Sequence, residues 1–191
     1  MEKIDLTGKV ALVTGSAKDL GAAIAKALAK QGATVVVHYR TSKREAEKTY
    51  QTVKKYSKES LLVQGDVTND DQGGLIFRKI EKTFGRLDIL VNGVGNFIFK
   101  PMNQTEGSEF RDVIESNLYS VFYTTKHVLP LMRKQKNGRI INFGNVSAQH
   151  LPTRPHTTPY MIAKAGVLAL TRIFAQEEAK TLRDQERQQE Q

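Results

Sequence analysis

Two residues late in the chain have the types and spacing to move a proton. In "YMIAK", Tyr160 and Lys164 stand four apart, so on a helix they share one face. An ammonium beside a phenol lowers the phenol's pKa and lets it donate or accept a proton near neutral pH. Tyrosine and lysine meet at this spacing often by chance. The pair gains weight only from the elements around it.

A second stretch could hold an anion. In "TGSAKDLGAAIA", residues 14–25, Gly15 and Gly21 bracket a turn that leads into a helical pattern. Glycines let backbone approach phosphates, and a helix N-terminus adds free N–H groups and partial positive charge. Asp19 is out of place there. At a helix start an acid is locally favourable as a cap or dipole partner, but it competes with a pyrophosphate for the same N–H groups. Lys18 offsets that charge. The expectation is a cofactor that binds, though more weakly than with glycine at 19.

The apolar run ending in "VVVHYRT" decides which dinucleotide. An acid about twenty residues after the glycines would grip a ribose 2′-hydroxyl and select NAD. The chain offers Tyr39 and then Arg40. With Lys18, Arg40 makes a cationic pocket suited to a 2′-phosphate, so NADP(H) is the expected cofactor.

The elements that must position these residues alternate. Short apolar runs at Val10–Thr14, Thr34–His38, Leu61–Gln64, Ile89–Asn92 and Arg139–Phe143 read as strands. Between them lie helical patterns at Leu20–Lys30, Lys43–Tyr56, Asp70–Phe84 and Phe110–Lys136, the last bent at Pro130, and Tyr160–Lys180 follows. Strands alternating with helices give βαβ units and a parallel sheet. Strands apolar throughout fit a sheet covered on both faces. A doubly wound α/β sheet follows. Tyr160 then opens the helix after the fifth strand, on the carboxyl edge where such sheets bind ligands. Residues 1–180 read as one dinucleotide-binding domain. The polar stretch 181–191 is a solvated helix extension or a frayed end, with fraying expected.

With these residues in place the chain resembles the short-chain dehydrogenase/reductase family, and most closely its ketoacyl-reductase-like members. The resemblance covers about residues 4–180. It rests on "TGSAKDLG", "GDVT" (65–68), "VNGVG" (91–95), "SNLYSVF" (116–122), "GRIINFGNVSA" (138–148) and "YMIAK". It implies a Rossmann-type fold and NADP(H)-dependent interconversion of a small carbonyl or alcohol substrate. Tyr160 would be the general acid, with Lys164 lowering its pKa and holding the nicotinamide ribose. Asn117 would anchor a water that relays protons to Lys164. Gly15, Ser16, Lys18, Leu20, Gly21 and Arg40 would line the cofactor, Asp66 and Val67 would flank the adenine, and Asn92 would support the wall beneath the cofactor. The substrate-orienting serine is Ser147 counting back from Tyr160, or its place is taken by Asn145 counting forward from the strand. Phe97, Phe99 and Phe143 suggest an apolar substrate wall.

The chain also departs from the family pattern. Asp19 replaces a small residue, and Gly93 stands where a second asparagine is common. Family members run on through a sixth strand, a substrate-covering segment and a seventh strand, whereas this chain ends in the polar stretch. The sheet is therefore expected to lack its last strands and expose "RIINF" as an edge. A homo-oligomer, a dimer, is expected, with low turnover. The alternative is a degenerate, truncated relative that binds cofactor or partner subunits with little or no turnover.

Composition excludes several classes. There are 191 residues, 39% of them hydrophobic, with no cysteine. Disulfides and thiolate chemistry are ruled out. No apolar run is long enough for a membrane span, and Glu2 and Asp5 interrupt any signal pattern, so a cytoplasmic location is expected. The net charge of +9 spreads over helical stretches such as "KREAEKTYQTVKKYSKE" without interleaved aromatics. That reads as a solvated face rather than a nucleic-acid surface.

Overall fold

The structure, a computed structural model, describes residues 4–145 and 154–189. Five strands form one parallel sheet: β1 (Val10–Val13), β2 (Thr34–Tyr39), β3 (Leu61–Gln64), β4 (Ile89–Asn92) and β5 (Arg139–Asn142), in the order β3-β2-β1-β4-β5. The helices are α1 (Asp19–Lys30), α2 (Lys43–Lys54), α3 (Asp70–Phe84), α4 (Gly107–Ile114), α5 (Ser120–Gln135) and α6 (Thr158–Gln189). This is the doubly wound Rossmann-type order on either side of β1.

Side chains of β1 alternate between two cores. Val10 and Leu12 join Ile76, Phe77 and Ile80 of α3 and Val128 and Leu131 of α5. Ala11 and Val13 join Ala25 and Ala29 of α1 and Val53 of α2. Every residue of β1 is buried, which is why the strand is apolar without alternation. At its foot Asp88, 3% exposed, accepts from Val10 N–H at 2.9 Å and from Arg86 at 2.6 and 2.8 Å. Burial opposes its ionisation, but these donors outweigh it and hold the carboxyl below the usual range.

The helix expected over Phe110–Lys136 is three pieces. Between α4 and α5 the backbone runs as a π-helical turn, Glu115–Tyr119. The side chains there feed back on the ladder: Ser116 Oγ donates to Asp112 O (2.7 Å), Asn117 Nδ2 to Val113 O (3.0 Å) and Ser120 Oγ to Ser116 O (2.6 Å). Such back-bonding competes with regular i to i−4 pairing and favours a π bulge. The interruption thus sits at Asn117 and not at Pro130, which α5 contains.

The expected fraying of the polar end is not observed, because α6 continues to Gln189. Among the described residues β5 is a sheet edge, as expected, and Ile141 is 47% exposed. A groove of about 560 Å³ lies beside it between α5 and α6. Arg133 of α5 and Glu178 of α6 close it with a two-pronged ion pair at 2.5 and 2.8 Å. No helix among the described residues is long and apolar enough to cross a membrane.

Candidate active site

Parallel strands bring the turns after β1, β2, β3, β4 and β5 to one edge of the sheet. The turn after β1 is fastened by His38 at the end of β2. Gly15, in the left-handed region at φ +67°, donates its N–H to His38 Nδ1 at 3.0 Å. Buried Ser16 accepts from His38 N–H through its hydroxyl at 2.9 Å. The far nitrogen of the ring, Nε2, lies 3.1 Å from Gly65 O, so Nδ1 is the acceptor and Nε2 carries the proton. Sequence reasoning gave His38 no role. Its backbone partners are 23 and 27 residues away, and no local signal marks them.

Asp19 does not cap α1. Among the described residues no side chain caps this helix, whose N-cap residue is Lys18, which leaves its first N–H groups for an anion. Asp19 itself has φ +51°, a left-handed conformation rare for a residue with a side chain. Its carboxylate is 81% exposed and 4.0 Å from Lys18 Nζ. Leu20 beside it is 60% exposed. Gly21 is required by packing, since a Cβ there would overlap Gly15 O.

Arg40 and Asp66 face each other across the next part of the groove, paired at 3.3 Å. Asp66 Oδ1 also accepts from Thr68 N–H and Oγ at 2.9 and 2.7 Å. Partial burial opposes its charge, yet Thr68 and Arg40 hold the carboxyl below the ordinary value. Gly15, Lys18, Arg40, Ser42, Asp66 and Val67 line one small cavity. Val67 is 2% exposed and packs into the α3–α5 core, so it serves as floor more than as wall.

Asn92 is buried at the end of β4, where its Nδ2 donates to Asn142 Oδ1 and its Oδ1 accepts from Thr124 Oγ, both at 2.8 Å. Gly93 follows. A Cβ there would lie 2.6 Å from Thr14 O, so the missing second asparagine matches a close approach of the β1 and β4 turns. Asn117 Nδ2 donates to Asn96 O at 2.7 Å, tying the π turn to the segment after β4. Its Oδ1 is buried with no hydrogen-bond partner among the described residues.

Tyr160 and Lys164 lie on the first turns of α6. Lys164, 7% exposed, donates through Nζ to Phe143 O at the end of β5 (2.8 Å). That ammonium is 5.5 Å from the centroid of the Tyr160 ring, and burial pushes its pKa down. Phe97 meets the Tyr160 ring edge to face at 5.1 Å. Phe143 leaves the expected apolar wall and packs instead with the α1–α2 core. Ser147 lies outside the described residues. Asn145 turns toward α6, with Nδ2 2.9 Å from Met161 Sδ.

The model of the short chain dehydrogenase family matches residues 9–182 of this chain. The chain belongs to that family. This short-chain dehydrogenase is 37% identical over 172 residues to a 3-oxoacyl-[acyl-carrier-protein] reductase of Synechocystis, a match covering 90% of this chain and 69% of the relative. It is 34% identical to 3-oxoacyl-[acyl-carrier-protein] reductase FabG of Staphylococcus aureus, over 88% of this chain and 68% of the relative. The crystal structure of a metagenomic short-chain oxidoreductase in complex with NADP superposes with a TM-score of 0.85 at 27% identity, over 92% of this chain and 78% of that one. In this short-chain dehydrogenase the uncapped start of α1, the tight Gly15–Gly21 approach and the cavity between Arg40 and Asp66 fit a nicotinamide dinucleotide.

Proposed function

We propose that this chain interconverts a small carbonyl and its alcohol using NADP(H), with Tyr160 as general acid in reduction and general base in oxidation. The observation that carries the reading is the seat of Lys164. Its buried ammonium is held by Phe143 O beside the Tyr160 ring, where it stabilises the phenolate that forms as the proton leaves. Tyr160 Oη gives its proton to the carbonyl oxygen. Lys164 would also hold the nicotinamide ribose. Asn117 Oδ1 is the acceptor available to a relaying water, and Ser147 or Asn145 orients the substrate oxygen. The bound nicotinamide supplies or accepts the hydride.

Gly15, Ser16 and Gly21 shape the pyrophosphate turn, Leu20 lines the cofactor beside it, Asp66 and Val67 border the adenine, and Asn92 supports the wall beneath the cofactor. Lys18 and Arg40 favour the 2′-phosphate, each charge-assisted contact contributing about 1.5–3 kcal/mol when well made. Residues 1–180 act as one dinucleotide-binding domain, and the protein works in the cytoplasm. Exposed apolar side chains at Tyr119 and Phe122 by the π turn and at Ile162 and Ile173 of α6 are suited to burial in a homodimer. One observation favours the second reading, a degenerate relative that binds cofactor or partner subunits with little or no turnover: β5 is a sheet edge among the described residues, with Ile141 exposed. Titrating NADPH and NADP⁺, then following NADPH absorbance against ketones, ketoesters and quinones, separates the two. Binding with oxidation of NADPH supports the first and binding alone the second; no binding overturns the first, and no binding by a chain that light scattering shows to be a monomer overturns both.

A further inference from the structure

Residues 96–100 form a strap beside Tyr160, fastened at both ends. At one end Asn96 N–H donates to Ser116 Oγ (3.0 Å), Asn96 O accepts from Asn117 Nδ2 (2.7 Å), and Asn96 Nδ2 donates to Asp112 Oδ2 (2.6 Å). At the other end Lys100 N–H donates to His156 O (2.8 Å), and Lys100 Nζ pairs with Glu109 (2.8 Å). The polar side chains of the strap are thus turned onto α4. What it offers outward is apolar. Phe97 packs on Tyr160 at 5.1 Å with the rings near perpendicular, and Phe99 packs on His156 in the same way. Both remain largely exposed, 54% for Phe97 and 63% for Phe99, and Met102 follows at 59%.

Two large aromatic side chains on a fastened strap, with Met102 just beyond it, leave more than half of their surface in water, where it brings no folding stability, and such a patch beside a reacting group marks a recognition surface. We infer that Phe97 determines specificity, receiving a flat aromatic substituent carried next to the carbonyl of an uncharged substrate. This rests on the reading of Tyr160 as proton donor. Aromatic rings pair at centroid separations of roughly 4.5–7 Å, so a ring on the free side of Phe97 is held beside Tyr160 and presents its carbonyl to the phenol. Phe99 and Met102 extend the apolar wall outward. Asn96 and Lys100 are engaged by Asp112 and Glu109, which leaves the strap no free charge for a carboxylate substrate.

The test compares two diketones of like reactivity, 1-phenyl-1,2-propanedione and 2,3-butanedione, with the full chain and NADPH. The phenyl compound is expected to have the higher kcat/KM. Phe97→Ala should lower the ratio between the two about tenfold, mainly through KM, and Phe97→Trp should restore it. NADPH affinity, followed in each variant, shows that the fold is kept. A ratio unchanged within twofold in Phe97→Ala overturns the proposal. If neither diketone turns over, the reading of Tyr160 falls, and saturation-transfer NMR on the NADP⁺-loaded protein still decides Phe97. Phenyl signals saturated in the parent and lost in Phe97→Ala support its contact; equal signals in both refute it.

Discussion

Gly15 N–H and His38 Nδ1 are hydrogen-bonded at 3.0 Å, and through this bond one buried ring joins the turn after β1 to the turn after β3 that carries Asp66. Nδ1 can accept only while the imidazole is neutral. Burial keeps it so: it pushes the pKa from the ordinary 6.5 down to about 4, against the opposing pull of Gly65 O and Asp66.

The sign of the resulting pH dependence is set by which state takes the proton. Between pH 6.5 and about 4 the unfolded chain protonates His38 and the folded chain does not, so stability falls as pH falls through that window. The full difference is about 3 kcal/mol. Depressed carboxyls such as Asp66 and Asp88 lose their contributions only at lower pH, so the upper part of the window reports His38. His38→Gln should be less stable at pH 7 and nearly flat from pH ~6.5 to ~5 in urea unfolding. The same slope in parent and variant would sink this assignment.

Much of the fold is legible because the buried strands are short valine- and leucine-rich runs and because Asn69 and Gly85 mark α3 at both ends, one as a side-chain cap and the other at φ +67°. The π turn is not, since apolar periodicity runs on through it while side chains of Ser116 and Asn117 reset the backbone. Phe143 looks like wall in sequence, but its place at the end of β5 turns it into the core. The polar stretch after Lys180 carries no amphipathic signal. Its Glu, Gln and Arg residues are good helix formers, and that propensity favours the extension of α6. Of the site, Tyr160, Lys164 and the glycines are readable from spacing; His38, Asn96 and the strap depend on contacts between distant turns.

Arg40 pairs with Asp66, and both are open enough to water for that bond to be weak. A 2′-phosphate, with greater charge, should draw Arg40 away. NADPH should therefore bind more tightly than NADH, and Arg40→Asp should narrow or reverse the preference, because a second carboxylate would then stand beside Asp66. Fluorescence titration with both cofactors checks this, and equal affinities in the parent protein would rule it out.

Asp19→Gly should tighten NADPH binding by removing a carboxylate near the pyrophosphate. Stability should change by less than about 1 kcal/mol. Relief of the left-handed strain at φ +51° offsets the added chain entropy of glycine, and there is no cap bond to lose. Weaker NADPH binding in a folded variant would mean that the carboxylate organises the turn.

At Gly93 the limit is space. A Cβ would meet Thr14 O at 2.6 Å, a backbone atom of a residue whose N–H is bonded to Val91 O at 2.9 Å. Gly93→Ala should lower stability by about 1–3 kcal/mol and weaken NADPH binding by pushing the two turns apart. Thermal unfolding with and without NADPH measures both effects. An unchanged melting temperature would show that the turns yield freely.

Tyr160→Phe removes a single oxygen from a half-buried ring whose packing against Phe97 remains. Lys164 keeps its bond to Phe143 O, so the cofactor groove is untouched and NADPH affinity should hold within about twofold. Any carbonyl reduction by the parent protein should fall by about 10²–10⁴, the usual worth of a placed general acid, and the fall should appear in kcat. Lys164→Met is the companion variant. It should lower kcat as well, and, with Lys164 in its proposed role of holding the ribose, it should also weaken cofactor binding. A rate for Tyr160→Phe within about threefold of the parent would take the proton transfer away from this tyrosine and assign it to another donor at the same edge of the sheet.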